Sequence, residues 1–248
     1  MRRINKAILG YFLISLFSIK LNAQAFNSID STHNLTYFNY RPMPPNAYRV
    51  LFIGDSLTFH GQTPNLWNYD SGMAASSVDK DFVHLVAQHI QDKLGAKPVE
   101  ILINNGGNGK LGTMLSYLTS HPDLKPSLVI LQGGENDPFD ASFQETYKNL
   151  LAFYQTSTTP YIVLGDWWND TKSSFDHQQA SGHGYAWIDL TVLNKNPAMS
   201  GDGGPYHIDG VAKHPNDQGM KAIADAIDDQ FDRTVLSSIH SSNQVAAP

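Results

Sequence analysis

Short apolar runs alternate with longer stretches in which apolar residues recur every third or fourth position. The runs cover Tyr48 to Ile53, Val99 to Ile103, Leu128 to Leu131, Tyr161 to Leu164 and Ala186 to Leu190. Each has the length and composition of a buried strand. Between them, Phe82, Leu85, Val86, His89, Ile90 and Leu94 fall on one helical face. Asp79 or Asp81 is placed to cap that helix and Gly95 to stop it. Phe143 to Tyr154 reads as a second amphipathic helix. Met220, Ile223, Ala224, Ile227 and Phe231 define a last one, behind a cap at Asn216 or Asp217. A short helix is expected over 111–118 and a weak one over 175–180. Thr58 to Val78, with Gly61, Pro64 and Gly72, reads as a long irregular loop. Strands that alternate with helices predict an α/β fold: a mostly parallel five-stranded sheet covered by helices on both faces.

The two ends depart from this pattern. Residues 1–25 begin with Arg2, Arg3 and Lys6, continue through a mostly apolar Ala7 to Ile19, and end on Ala23-Gln24-Ala25. That is the layout of a secretory signal peptide, and its apolar part is shorter than the ~20 residues a membrane span needs. The expectation is an exported chain, periplasmic or secreted, with no stable membrane insertion after cleavage. Residues 26–46 are polar and end Pro-rich, as a linker or surface arm would. Residues 47–235 make one domain and 236–248 a flexible tail. The hydrophobic fraction, 41%, is enough for a globular core. The net charge is −6, and it becomes −10 once the four cations of residues 1–25 are set aside. A chain this acidic is not a basic-patch nucleic-acid binder. It has no cysteine, which excludes disulfides and thiolate chemistry.

In a parallel sheet the site lies at the carboxyl ends of the strands. After the first strand come Asp55 and Ser56. After the second comes Asn104-Asn105-Gly106-Gly107-Asn108-Gly109, and after the third Gly133-Gly134-Glu135-Asn136-Asp137. Asp166, Trp167 and Trp168 follow the fourth, and Asp209 to Asn216, including His214, precede the last helix. Each is ordinary turn chemistry taken alone. Together they supply a nucleophile, oxyanion donors and a base, the parts of an acyl-transfer site. Ser56 is not in a G-x-S-x-G elbow, because Thr58 stands at the second glycine position. Gly107 to Gly112 fits G-x-G-x-x-G, but it follows the second strand and lacks the acid about 20 residues on. A phosphate-binding P-loop is excluded by Asn104 and Leu111. His84 and His89, or His177, His183, His207 and Asp202, have no metal-ligand spacing. No metal and no cofactor are expected.

Gly54-Asp55-Ser56-Leu57, Asn104 to Gly109, Gly134-Glu135-Asn136-Asp137 and His214-Pro215-Asn216 resemble, in order, the four blocks of the SGNH or GDSL hydrolases. The resemblance spans about residues 48–234. It implies a three-layer, flavodoxin-like α/β/α fold and serine ester hydrolysis through an acyl-enzyme. Ser56 would be the nucleophile and His214 the base. The N–H groups of Ser56 and Gly106, with the Asn136 side chain, would form the oxyanion hole. The family's acid stands three residues before the histidine, where this chain has Val211. Asp209 is the nearest upstream acid and the expected partner of His214; Asp202 or a backbone carbonyl are the alternatives. Trp167 and Trp168 are expected to line the substrate site. The substrate implied is a small-molecule or glycan ester, with short O-acetyl groups on carbohydrate favoured. The alternative is an inactive exported glycan-binding or assembly protein on the same fold.

Overall fold

The computed structural model describes residues 28–30, 35–39, 47–95, 97–155, 158–201 and 208–236. The expected signal peptide, nearly all of the expected tail, and Asp202 and His207 lie outside these residues.

The apolar runs form β3 (Tyr48–Ile53), β4 (Val99–Asn104), β5 (Leu128–Leu131), β6 (Tyr161–Leu164) and β7 (Ala186–Ile188). They pair in parallel in the spatial order β4-β3-β5-β6-β7. In terms of these five strands that order is 2-1-3-4-5, and the direction of winding reverses between β3 and β5. The strands are buried on both faces. Val50, Phe52, Ile101, Ile103, Leu128 and Ile130 face a core closed by α1 (Phe82–Leu94) and α7 (Asp217–Gln230). Leu51, Ile53, Leu102, Val129 and Leu131 face a second core under α2 (Leu111–Ser120) and α3 (Ala141–Ala152). Strict alternation along each strand therefore fills both layers.

Residues 26–46, expected as a linker or arm, contribute strands to the sheet. β1 (Ser28–Asp30) pairs antiparallel with β2 (Leu35–Asn39), and β2 pairs antiparallel with β4 along its whole length. The Asn, Ser and Pro content of this stretch masks its strands. β4 would otherwise leave its outer row of N–H and C=O groups unpaired, and Leu35 to Asn39 pairs with that row.

Local capping set the helix bounds. α1 starts where Asp81 accepts from the His84 N–H, and α7 where Asn216 accepts from Gln218 and Gly219. α3 starts two residues before the expected Phe143, because Asp140 caps it. α4 (Asp170–His183) is a full helix where a weak 175–180 segment was expected. Asn169 accepts from Thr171 and Lys172 at its start, and Gly184, at φ 71°, ends it. Its inward face carries Lys172, Ser173, Asp176 and Ala180, so apolar periodicity was blind to it. β7 stops at Ile188 rather than Leu190 because Asp189 caps α5 (Leu190–Asn194). The 58–78 loop has its own small core of Trp67, Met73 and Ala74, completed by Val211 of α6 (Asp209–Ala212).

Candidate active site

Ser56 sits in a turn directly after β3. The Thr58 and Phe59 N–H groups both donate to the Asp55 carbonyl, at 3.0 and 2.8 Å, which bends the chain back over the strand end. Only glycine fits at position 54: a Cβ there would lie 1.9 Å from Thr58 Oγ1 and 2.6 Å from the Gln132 carbonyl. The turn therefore packs onto the end of β5, across the point where the winding reverses.

His214 reaches Ser56 from the other end of the chain, with Nε2 2.8 Å from Oγ. Its Nδ1 is 2.8 Å from the Gly210 carbonyl. A carbonyl only accepts, so Nδ1 carries the proton and Nε2 presents its lone pair to the serine hydroxyl. The ring is buried. Trp168 stands edge-on against it, with ring centroids 5.0 Å apart and planes at 78°. Burial lowers the His214 pKa to about 4, against partial opposition from the Gly210 carbonyl and the Asp55 charge. At neutral pH the imidazole is therefore uncharged, the state a general base requires.

The expected acid is not where the ring needs it. Asp209 is exposed at the start of α6 and makes no hydrogen bond to His214. Val211, at the family's acid position, is fully buried against Trp67, Met73 and Ala74. The one-turn helix α6 puts Val211 into that small core and brings the Gly210 carbonyl to the ring. Of the alternatives weighed on sequence, the backbone carbonyl occupies the position.

The residues expected as oxyanion donors differ in whether they line the cleft. Gly106 is buried, outside the cleft, and its N–H donates to Asn104 Oδ1 at 3.3 Å. Gly109 of the same loop lines the cleft with Ser56 and packs against Asp55 and Asn136. At φ 65° it lies so close to its neighbours that a Cβ would be 2.4 Å from Asn136 Nδ2 and 2.9 Å from Asp55 Cβ. Its own N–H closes a turn with the Asn105 carbonyl. Asn136 lines the cleft, and among the described residues neither its amide nor the Ser56 N–H has a hydrogen-bond partner.

The cleft holds about 560 Å³. It is lined by Ser56, His214, Asn136 and Gly109, by His60, Gln62, Thr63 and Leu66 of the long loop, and by Asn105 and Asn108. Trp167 and Trp168 are not in it. Trp167 is fully buried, and both indole N–H groups donate to the Lys213 carbonyl at 3.2 Å. They hold the chain that carries His214 from behind, and do not line the cleft. The loop residues of the lining carried no motif; their position depends on how Trp67 buries itself.

Next to the cleft lies an acidic cluster, and its Asp55 is also one of the lining residues. Asp55, Asp166 and Asp176 are buried, as is the Glu135 carboxyl, with Lys172 the only buried lysine or arginine among the described residues. Glu135 and Asp176 are pushed well above the usual carboxylate range, first by burial and then by neighbouring acids, Asp55 for Glu135 and Asp166 for Asp176. Among the described residues no group of three or more His, Cys, Asp or Glu has the arrangement of a metal site, and no helix is long and apolar enough to cross a membrane.

No family model matches the sequence, and no curated protein does. Solved structures do match by shape. A two-domain esterase active on acetylated mannans aligns with 75% of this chain at 18% identity and a TM-score of 0.52. Its complex with mannopentaose was the form compared there, and a second structure of it gives 77% coverage and the same score. This chain spans about half the length of that protein, 49% and 50% in the two structures. AlinE4, an SGNH-hydrolase family esterase, aligns over 78% of this chain and 99% of its own at 17% identity and a TM-score of 0.45. At these identities the likeness is one of fold. The chain has the three-layer α/β/α architecture of the SGNH/GDSL esterases that its sequence blocks resemble.

Proposed function

We propose that this protein is a serine esterase that works through a Ser56–His214 dyad, with the imidazole oriented by the Gly210 carbonyl instead of a carboxylate. One observation carries the reading: Ser56 Oγ, His214 and the Gly210 carbonyl stand in line at 2.8 and 2.8 Å, with the ring buried and neutral. Nε2 takes the hydroxyl proton as Oγ attacks the ester carbonyl, and the Ser56 N–H and the Asn136 amide receive the oxyanion. Gly109 replaces Gly106 as the loop glycine beside that oxyanion. The imidazolium then protonates the leaving alcohol, leaving an acyl-serine. Water, deprotonated by Nε2, releases the acid and restores the serine.

The favoured substrates are short-acyl esters, O-acetyl groups on carbohydrate first. His60, Gln62, Thr63, Asn105 and Asn108, which share the lining with Phe59, Leu66 and Met73, offer polar groups to a polyhydroxylated alcohol. The fold-mate active on acetylated mannans supports the same choice. Export, periplasmic or extracellular, fits such a substrate.

The test is hydrolysis of p-nitrophenyl acetate and of acetylated mannan by the wild type and by Ser56→Ala, His214→Ala, Asp209→Asn and Asp202→Asn. The first two variants are expected to lose at least about 10³-fold in kcat, and both Asp variants to stay within threefold of wild type. A collapse of either Asp variant would replace the dyad by a triad. A wild type with only background activity on both substrates would instead favour the glycan-binding reading.

A further inference from the structure

Lys172 has no part in the chemistry proposed above, yet it is the most fully engaged cation in the described protein. It is the third residue of α4, and its side chain runs, 5% exposed, beneath the segment that follows β5. Its Nζ donates to the carbonyls of Gly134 at 2.7 Å, Glu135 at 3.3 Å and Asp137 at 2.6 Å. Asp166 Oδ2 is farther, at 3.7 Å, and the Phe143 ring lies 5.3 Å away. A lysine present only to neutralise buried acids would turn to a carboxylate. This one turns its three protons to three backbone carbonyls.

Those carbonyls belong to one short segment. Gly133 and Gly134 have φ of 151° and 109°, a backbone that favours glycine, and a Cβ on Gly134 would strike the Phe143 ring at 2.7 Å. The segment thus enters in a conformation without regular pairing. Its far end is tied by Asp137, whose carboxylate accepts from the Leu111 N–H at the start of α2 at 3.1 Å. Of the residues from 134 to 137, only Asn136 has a carbonyl that Lys172 does not hold, and its side chain lies on the opposite side, in the cleft against Gly109.

We propose that Lys172 is a positioning residue for the oxyanion hole: its ammonium draws three carbonyls of the 134–137 segment inward and so fixes the Asn136 amide outward, over Gly109 and beside Ser56. This rests on the esterase reading for its consequence, though not for its geometry. An ammonium suits three converging acceptors, whereas the planar guanidinium of arginine does not. A donor displaced by about 1 Å loses about 10²-fold in rate, close to the loss from deleting it.

The experiment is a double-mutant cycle on p-nitrophenyl acetate with Lys172→Met, Asn136→Ala and the pair, beside Ser56→Ala. Lys172→Met is expected to lower kcat by about 10²-fold with KM within twofold. In the Asn136→Ala background the same change should lower kcat by less than about threefold, because the group it positions is gone. Additive losses, or a folded Lys172→Met with wild-type kcat, would overturn the proposal. If Lys172→Met does not fold, Lys172→Arg takes its place in the cycle, since it keeps the charge but not the three converging donors. An independent readout is the Asn136 side-chain amide in ¹H–¹⁵N spectra, assigned by its absence from Asn136→Ala. It is expected to shift or broaden in the Lys172 variant, and an unchanged signal sinks the proposal whatever the kinetics. Failure of the esterase reading looks different: Ser56→Ala would keep the wild-type rate, or the wild type would have none, while the spectra still report on Lys172.

Discussion

At the scale of single residues, the arrangement around His214 decides what the site can do. Burial lowers the His214 pKa to about 4, and among the described residues a backbone carbonyl, not a carboxylate, bonds its Nδ1. The advantage is that almost no imidazolium forms in the resting enzyme at mildly acidic pH. The acid limb of kcat/KM is therefore expected near pH 4, well below the 6.5 of an ordinary histidine. A pH profile of p-nitrophenyl acetate hydrolysis with a limb at 6 to 7 would contradict this. The serine, asparagine and histidine were legible in the sequence because each follows a strand end or precedes a helix in the right order. The orienting group was not, because a backbone carbonyl belongs to every residue and leaves no mark in composition.

At the scale of elements, the small core under the long loop links the surroundings of Ser56 to His214. Trp67, Met73 and Ala74 close on Val211, and α6 carries that contact to Gly210 and His214. Restoring the family's acid by Val211→Asp is therefore not expected to build a triad. It buries a carboxylate among apolar side chains, at a cost of several kcal/mol. A thermal melt should fall by ten degrees or more, at about 4–8 °C for each kcal/mol in a small domain and somewhat less in one of this size. A gain in activity at unchanged melting temperature would refute the packing argument. The same scale explains α4. Its buried face is Lys172, Ser173 and Asp176, so a search for apolar periodicity recovered only a fragment of a fourteen-residue helix.

At the scale of the whole molecule, the buried charges set how stability depends on pH. Below pH 6.5 the unfolded chain protonates His214 while the native state does not, so stability falls between 6.5 and about 4, by roughly 3 kcal/mol from this group. Glu135 acts in the opposite direction. Its native pKa is raised by burial and then by Asp55, so its contribution is complete at acid pH and is lost as pH rises through the raised value. Glu135→Gln removes that loss. Its amide can still meet Gln132, which now bonds Glu135 at 2.5 Å, and can donate to Asp55 Oδ2, which has no hydrogen-bond partner among the described residues. The variant is expected to melt above wild type at pH 8, with the difference growing from pH 5 to 9. A difference that stays constant over that range would show that Glu135 is ionised in the native state.

The sequence by itself determined the five parallel strands, the two-layered core, the strand ends that carry Ser56 and Asn136, and the helix start that His214 precedes. Those features follow from local periodicity and from residues whose neighbours in sequence are also their neighbours in space. Only the tertiary structure decided that the arm pairs with β4, that Gly109 and not Gly106 lines the cleft with Ser56, that the tryptophans bond the Lys213 carbonyl next to His214, and that Gly210 holds its ring. Each of those depends on which segment from elsewhere in the chain fills a particular space or satisfies a particular backbone group, and no local pattern encodes that choice.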